Sequence, residues 1–250
     1  MLVTVLLLKK LLNVLRITDY RYRVQAAIGK FIIRCIEISM RTFLPNQAYF
    51  APAEFVWTKS VDAEWKNILN EVIDARNKPN GMYDICDISP EQYKVVNRGE
   101  WDFYPLYAYG VPFLDNLASC PKTANILEVI PYKTTVFFSI LKPGTHVKAH
   151  RGAYRGYLRY HLGLSVPEPE KCGLKLIDKT YHWKDGESMV FDDTFDHEAW
   201  NNGNEDRIIL YVDFIRPMPK FFRFVSLKLT KMISQSPFVQ RGLERAGQID

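Results

Sequence analysis

KTTVFFSILKPG, residues 133–144, is where the texture of this chain changes. β-Branched and aromatic side chains fill Thr134 to Ile140, and Lys142-Pro143-Gly144 closes the run. That is the pattern of a strand ended by a tight reversal. Further on, Tyr157 to Val166 (YLRYHLGLSV) alternates in polarity. Cys172–Asp178, Glu187–Phe191 and Arg207–Phe214 (RIILYVDF) are further strand candidates, with turns at Asp185-Gly186 and Asn201-Asn202-Gly203. Several short strands at close spacing predict a sandwich or barrel, here a mainly β jelly-roll with flanking helices.

Upstream, Ala63–Arg76 (AEWKNILNEVIDAR) places Trp65, Ile68, Leu69, Val72 and Ile73 on one helical face, and Lys78-Pro79-Asn80-Gly81 then turns the chain. Residues 81–115 are rich in aromatics, Gly and Pro and carry no clear period, whereas Thr123–Ile130 reads as a short helix behind Cys120-Pro121. Past Pro217 and Pro219, Phe222, Val225, Leu229 and Met232 mark a last helix. Four segments are expected: a basic amphipathic helical stretch over 1–45, a mixed helical lead-in over 46–130 packed on the core, the β core over 131–217, and a basic helix over 218–250.

With 250 residues, 47% hydrophobic and 24% charged, the chain has globular rather than disordered composition. Its net charge of +5 is concentrated at the ends. Residues 1–45 hold eight basic side chains against Asp19 and Glu37, and residues 217–250 hold six against Glu244 and Asp250. The stretch between them keeps 19 basic against 24 acidic side chains. Such asymmetry points to an anionic surface meeting the termini. Nucleic acid is disfavoured, because the basic residues ride on apolar-striped helices rather than among stacking aromatics. Ile28, Phe31, Ile32, Cys35 and Ile36 recur at helical spacing, and that stripe suits either an anionic bilayer or the protein's own core. The apolar run Leu2–Leu8 ends at Lys9-Lys10, far short of the ~20 residues a spanning helix needs, and it lacks the flanks of a signal peptide. Cys35, Cys86, Cys120 and Cys172 show no framework spacing and read as reduced thiols, consistent with a cytoplasmic or peripheral-membrane setting.

Of the five histidines, His146, His150, His161 and His182 fall close together and His197 follows. His150 lies in KPGTHVKAHRG after the Pro-Gly turn, and His197 lies in FDDTFDHEAW beside another strand candidate. Antiparallel jelly-roll strands can bring such positions to one mouth of a barrel, where imidazole is the commonest transition-metal donor. Asp192, Asp193 and Asp196 are candidates to orient His197 through its second ring N–H. His146 and His182 read as exposed, Trp183 and Trp200 as packing residues. Arg159 and His161, two apart on one strand, share a face, and Arg207 opens another strand. These cations suit a dicarboxylate, or else structural ion pairs with Asp192, Asp193 or Asp213.

KPGTHVKAHRG, YLRYHLGL, WKDGESMVFDDTFDHEAW and RIILYVDFIRP, in this order over about residues 131–217, resemble the aspartyl/asparaginyl β-hydroxylase family, including its similar bacterial lipid A acyl-chain hydroxylases. Weaker similarity extends to the CPKT at Cys120. The resemblance implies a double-stranded β-helix, an iron(II) ion held by His150 and His197, 2-oxoglutarate bound by Arg159, His161, Arg207 and Ser139, and dioxygen as oxidant. By that likeness Arg207 grips the far carboxylate, while Arg159 and His161 orient the iron-bound end. Gly152 stands where most 2-oxoglutarate oxygenases place a carboxylate ligand, but the resembling family also leaves that position non-ligating and fills it with water. The implied reaction is hydroxylation of a peptidyl Asp or Asn side chain. Hydroxylation of a lipid acyl chain at a membrane surface is the alternative, and a non-catalytic jelly-roll binding module is the third.

Overall fold

The alternation read in residues 131–217 becomes two facing sheets in a computed structural model, which describes residues 38–78, 81–152 and 154–245. Two compact units divide between Asn46 and Gln47. In the first, residues 38–43 are helical, while Ile28, Phe31, Ile32, Cys35 and Ile36 lie outside the described residues. The second unit holds both sheets.

The larger sheet runs in the order β1 (Tyr49–Phe50), β10 (Ser188–Phe191), β7 (Tyr157–Ser165), β12 (Arg207–Ile215), β5 (Lys133–Leu141), β3 (Trp101–Ala108) and β2 (Tyr83–Asp84), with β4 (Val111–Pro112) paired to β3. The smaller sheet runs β6 (Thr145–His150), β11 (His197–Asn201), β8 (Cys172–Leu176), β9 (Lys179–His182). From β5 to β12 the chain passes back and forth between the sheets, and the named strands pair antiparallel. That winding is a double-stranded β-helix. The aromatic-rich stretch without a readable period supplies β3, which pairs with β5 along the large sheet.

The three central strands bury both of their faces, so they need apolar side chains at successive positions. On one face Phe138 and Ile140 of β5, Leu158, Tyr160 and Leu162 of β7, and Leu210, Val212 and Phe214 of β12 form a core with Val61, Ile68, Val72 and Ala75 of the covering helices. Those helices are Thr58–Ala63 and Trp65–Arg76. On the other face Phe137 and Leu141 of β5 and Tyr211 of β12 meet Val147 of β6 across the lumen between the sheets. Leu174 and Leu176 of β8 meet Phe191 and Ile209 in the same way. Cys86, Cys120 and Cys172 are free, buried thiols.

One carboxylate ties the helical layer together. Buried Glu71 accepts hydrogen bonds from Lys122 N (2.8 Å), Thr123 N (2.8 Å) and Thr123 Oγ1 (2.7 Å), satisfying donors in the first turn of the helix Pro121–Leu127. Replacing it strands buried donors, which cost about 1–3 kcal/mol in other proteins. Glu71→Ala is therefore expected to lower the stability of the chain by about 2–3 kcal/mol in urea denaturation. A midpoint within error of the parent would show that this bridge contributes nothing.

Candidate active site

His150 is the last residue of β6 and His197 the first of β11, and the ladder sets them directly opposite each other. Their ring centroids lie 4.2 Å apart with the planes tilted by 50°. The pairing register shifts between His197 and Ala199, an irregularity of the sort that re-aims a side chain at the end of a strand. His150 Nδ1 donates to the carbonyl of Lys148 at 2.8 Å, and His197 Nδ1 donates to the carbonyl of Phe195 at 2.9 Å. A carbonyl only accepts, so each Nδ1 holds the proton and each Nε2 keeps its lone pair. Burial lowers the pKa of both rings, and Arg159 adds to it in each. For His197, which also feels His150, the value falls to about 3. Two neutral imidazoles with free Nε2 atoms, side by side, can ligate a divalent metal.

No group of three or more His, Cys, Asp or Glu side chains able to hold a metal occurs among the described residues. At Gly152 a Cβ would lie 2.0 Å from Oδ2 of Asp193. The space that a carboxylate-bearing side chain would need at 152 is thus filled by Asp193, which is held in turn by Arg159 at 2.8 Å. A metal here would have two protein ligands and its other positions open to exogenous ones.

Beside the imidazoles the lumen holds a pocket bordered by Ser139, Arg159, His161, Trp183, Arg207 and Tyr211 among others. All six residues singled out from the sequence border it: Ser139, His150, Arg159, His161, His197 and Arg207. Their circumstances differ. Arg159 donates to Asp213 through Nε (2.8 Å) and Nη2 (3.1 Å) as well as pairing with Asp193, so for this residue the ion-pair reading is the observed one. Asp192 pairs instead with buried Arg216 at 3.1 Å.

Arg207 is 3% exposed and forms no ion pair among the described residues. Its guanidinium lies 4.5 Å above the ring of Trp183, and its Nε has no hydrogen-bond partner. Burial pushes its pKa down to about 10, which still leaves it charged at neutral pH. His161 is buried with both ring nitrogens unpartnered, and Trp183 Nε1 is unpartnered too. Burial, then the charges of Arg159 and Arg207, hold the His161 pKa well below its ordinary value. Buried polar groups nearly always find partners, and each that does not costs about 1–3 kcal/mol. Three residues bearing such groups around one cavity, with a cation among them, form a site shaped for an anionic ligand. A separate apolar cavity bordered by Phe103, Pro105, Phe137, Val239 and Leu243 has no charged or imidazole side chain in its lining, so it offers none of this chemistry.

Ser139 Oγ accepts a hydrogen bond from Trp101 Nε1 at 3.0 Å. Trp101, Trp183, Phe191 and Tyr211 are among the lining residues not anticipated from the sequence. Trp183 does pack, as expected, but it packs beneath Arg207. None of Asp192, Asp193 and Asp196 orients His197, because a backbone carbonyl does so and Asp196 pairs with Arg151 at the surface. His146 and His182 are exposed, His146 lying 2.9 Å from Glu198.

Residues 62–217 match the family model described as aspartyl/asparaginyl beta-hydroxylase. An ornithine lipid ester-linked acyl 2-hydroxylase of Rhizobium tropici is 35% identical over 202 residues, which cover 80% of this chain and 72% of that one. The human aspartyl/asparaginyl beta-hydroxylase is 32% identical over 182 residues, 70% of this chain but only 23% of the human one. An aspartate beta-hydroxylase domain-containing protein 2 of Xenopus tropicalis is 32% identical over 186 residues, spanning 48% of its length.

A cation buried without a counter-charge destabilises the ligand-free protein. Arg207→Met keeps a flexible side chain against Trp183 while removing the charge. It is expected to raise ligand-free stability by about 1–3 kcal/mol, read as a higher thermal midpoint. A variant less stable than the parent would mean that Arg207 serves the fold.

Proposed function

The chain belongs to the aspartyl/asparaginyl β-hydroxylase family, and from that premise we propose that it is an iron(II)- and 2-oxoglutarate-dependent dioxygenase hydroxylating an unactivated C–H bond, with a lipid acyl chain as substrate. Its relatives are named as hydroxylases, which supports an enzyme. The observation that carries the cofactor assignment is the unpaired guanidinium of Arg207, buried in the same lumen as two neutral imidazoles with free Nε2 atoms.

In this reading His150 and His197 hold iron(II), their Nδ1–H bonds to backbone carbonyls fixing both tautomer and ring orientation. The metal, when bound, supplies activation of dioxygen for attack on the C–H bond. The remaining work belongs to the chain. Arg207 receives the far carboxylate of 2-oxoglutarate as a two-pronged pair, and Trp183 under its plane keeps the fork aimed. His161 offers a ring N–H to a carboxylate oxygen, and Ser139 lies on the same wall. Arg159, locked between Asp193 and Asp213, adds fixed positive charge near the imidazoles without changing conformation when an anion arrives. Phe191 and Tyr211 line the lumen with apolar area that excludes water.

A lipid acyl chain is favoured because the Rhizobium relative, named for an acyl group on a lipid, matches along most of its own length. A peptidyl Asp or Asn side chain is the second reading, supported by the animal relatives named for it; this chain spans about a quarter of the human one.

The test is succinate formation from 2-oxoglutarate with iron(II), run with lipid and peptide substrates and checked by mass spectrometry for a gain of one oxygen atom. His150→Ala and His197→Ala are each expected to lose iron(II) binding and turnover. Arg207→Ala should raise the KM for 2-oxoglutarate about a hundredfold while leaving iron(II) affinity near that of the parent. Unchanged 2-oxoglutarate kinetics in the Arg207 variant, or iron binding that survives loss of both imidazoles, ends the assignment.

A further inference from the structure

The helix Lys220–Ser234 (KFFRFVSLKLTKMIS) carries apolar side chains on two sides, and its most buried positions are not apolar. Its most buried residues are Ser226, Thr230 and Ser234, four apart on one face, and all are hydroxyls. Tyr154 and Ser226 share a hydroxyl hydrogen bond of 2.9 Å, and Tyr157 and Thr230 share one of 2.7 Å. Phe222, Val225, Leu229 and Ile233 flank that face half-buried, while four large apolar side chains point outward: Phe221 is 70% exposed, Phe224 58%, Leu227 41% and Met232 65%. Phe221, Phe224, Lys228 and Met232 follow one another at spacings of three and four, making a continuous outer stripe. Exposed Lys220, Lys228 and Lys231 border or interrupt it, and the helix contains no acidic residue.

Apolar patches rimmed by polar residues mark interaction sites, and the sign of the rim selects the partner. Here we infer that the outer face of Lys220–Ser234 docks on a bilayer surface carrying anionic headgroups. Phe221, Phe224 and Met232 enter the interface, and the lysines meet the lipid charge. A fifteen-residue helix with four basic side chains suits lying in the interfacial plane. Among the described residues no helix is long and apolar enough to cross a membrane.

The docked side has a direct link to the lumen. Tyr154, which holds Ser226, stands four residues after His150, and Tyr157 opens the strand that carries Arg159 and His161. A bilayer bound by this helix would therefore lie on the element fastened to the segment leaving the metal ligand. This goes beyond the hydroxylase reading and needs no metal to operate.

Flotation of the full chain with vesicles tests it, using phosphatidylcholine alone and phosphatidylcholine with about 30% phosphatidylglycerol. The parent is expected to float with the anionic vesicles and to stay behind with the neutral ones. Phe221→Ser/Phe224→Ser/Met232→Ser and Lys220→Gln/Lys228→Gln/Lys231→Gln should each weaken partitioning at least about tenfold. Because all six side chains are exposed, both variants should keep the parent's unfolding midpoint, and both should keep its 2-oxoglutarate binding, so loss of docking is separable from failure of the hydroxylase reading. Vesicle binding that is unchanged in both variants overturns the inference. So does a parent that ignores anionic vesicles but sediments as a dimer that the serine variant dissolves, since the stripe would then be a face for a second copy of the chain.

Discussion

The two-residue period of the central strands is the constraint from which the rest of the site follows. In β12, Ile208, Leu210, Val212 and Phe214 lie beneath the helices, so Arg207, Ile209, Tyr211 and Asp213 must face the lumen. The same parity in β7 puts Leu158, Tyr160 and Leu162 under the helices and Arg159 and His161 inside. A slip of one residue would drive two guanidiniums into the largely apolar layer between sheet and helices, away from the Asp193 and Asp213 that now hold Arg159. The helical layer therefore does more than cover the sheet. By filling one face with Ile68, Val72 and their neighbours, it fixes the register that aims every cation on the other face.

Against that wall of cations the small sheet brings the imidazoles. His150 and His197 are joined by a strand ladder rather than by loops, so their spacing is set by backbone pairing. Both take their orientation from carbonyls two residues upstream, and neither depends on a titratable partner. Elements with hydrogen-bonded neighbours hold functional side chains more closely than loops do. The cationic residues are graded in the same way. Arg159 is immobilised by two carboxylates, whereas Arg207 rests on an indole face and keeps its donors unpaired. One is a fixed field, the other an open grip.

Much of this was legible from residue types alone. Alternating or continuous apolar runs gave β5, β7 and β12, and His150, Arg159, His161, His197 and Arg207 all reached one lumen, joined there by Ser139, which only the family resemblance points to. What escaped was whatever depends on partners distant along the chain. β3 carries Pro105 and aromatics on both faces, so it shows no period until β5 is laid beside it. A backbone carbonyl can be supplied by any residue, which is why three aspartates looked like better partners for His197 than Phe195 did. Whether Asp193 and Asp213 take Arg159 or Arg207 is decided by register: β12 pairs with β7 so that Asp213 is opposite Arg159. Trp183 read as packing because its role lies in what it packs against.

The C-terminal helix shows the limit of pattern reading from the opposite direction. Apolar residues at helical spacing usually identify the face that seeks a core. In KFFRFVSLKLTKMIS two stripes compete, and the hydroxyl stripe wins the protein-facing side because Tyr154 and Tyr157 present phenolic groups there. A tyrosine hydroxyl buried against phenylalanine would lose its hydrogen bonds to water and gain none, while against serine or threonine it keeps one. The tyrosines thus set which way the helix faces: Phe222, Val225 and Leu229 flank the hydroxyls half-buried, and Phe221, Phe224 and Met232 are left outside. Phe221, Phe224 and Met232 lie on the side turned away from Tyr154 and Tyr157, so their exposure follows from the face the hydroxyls occupy.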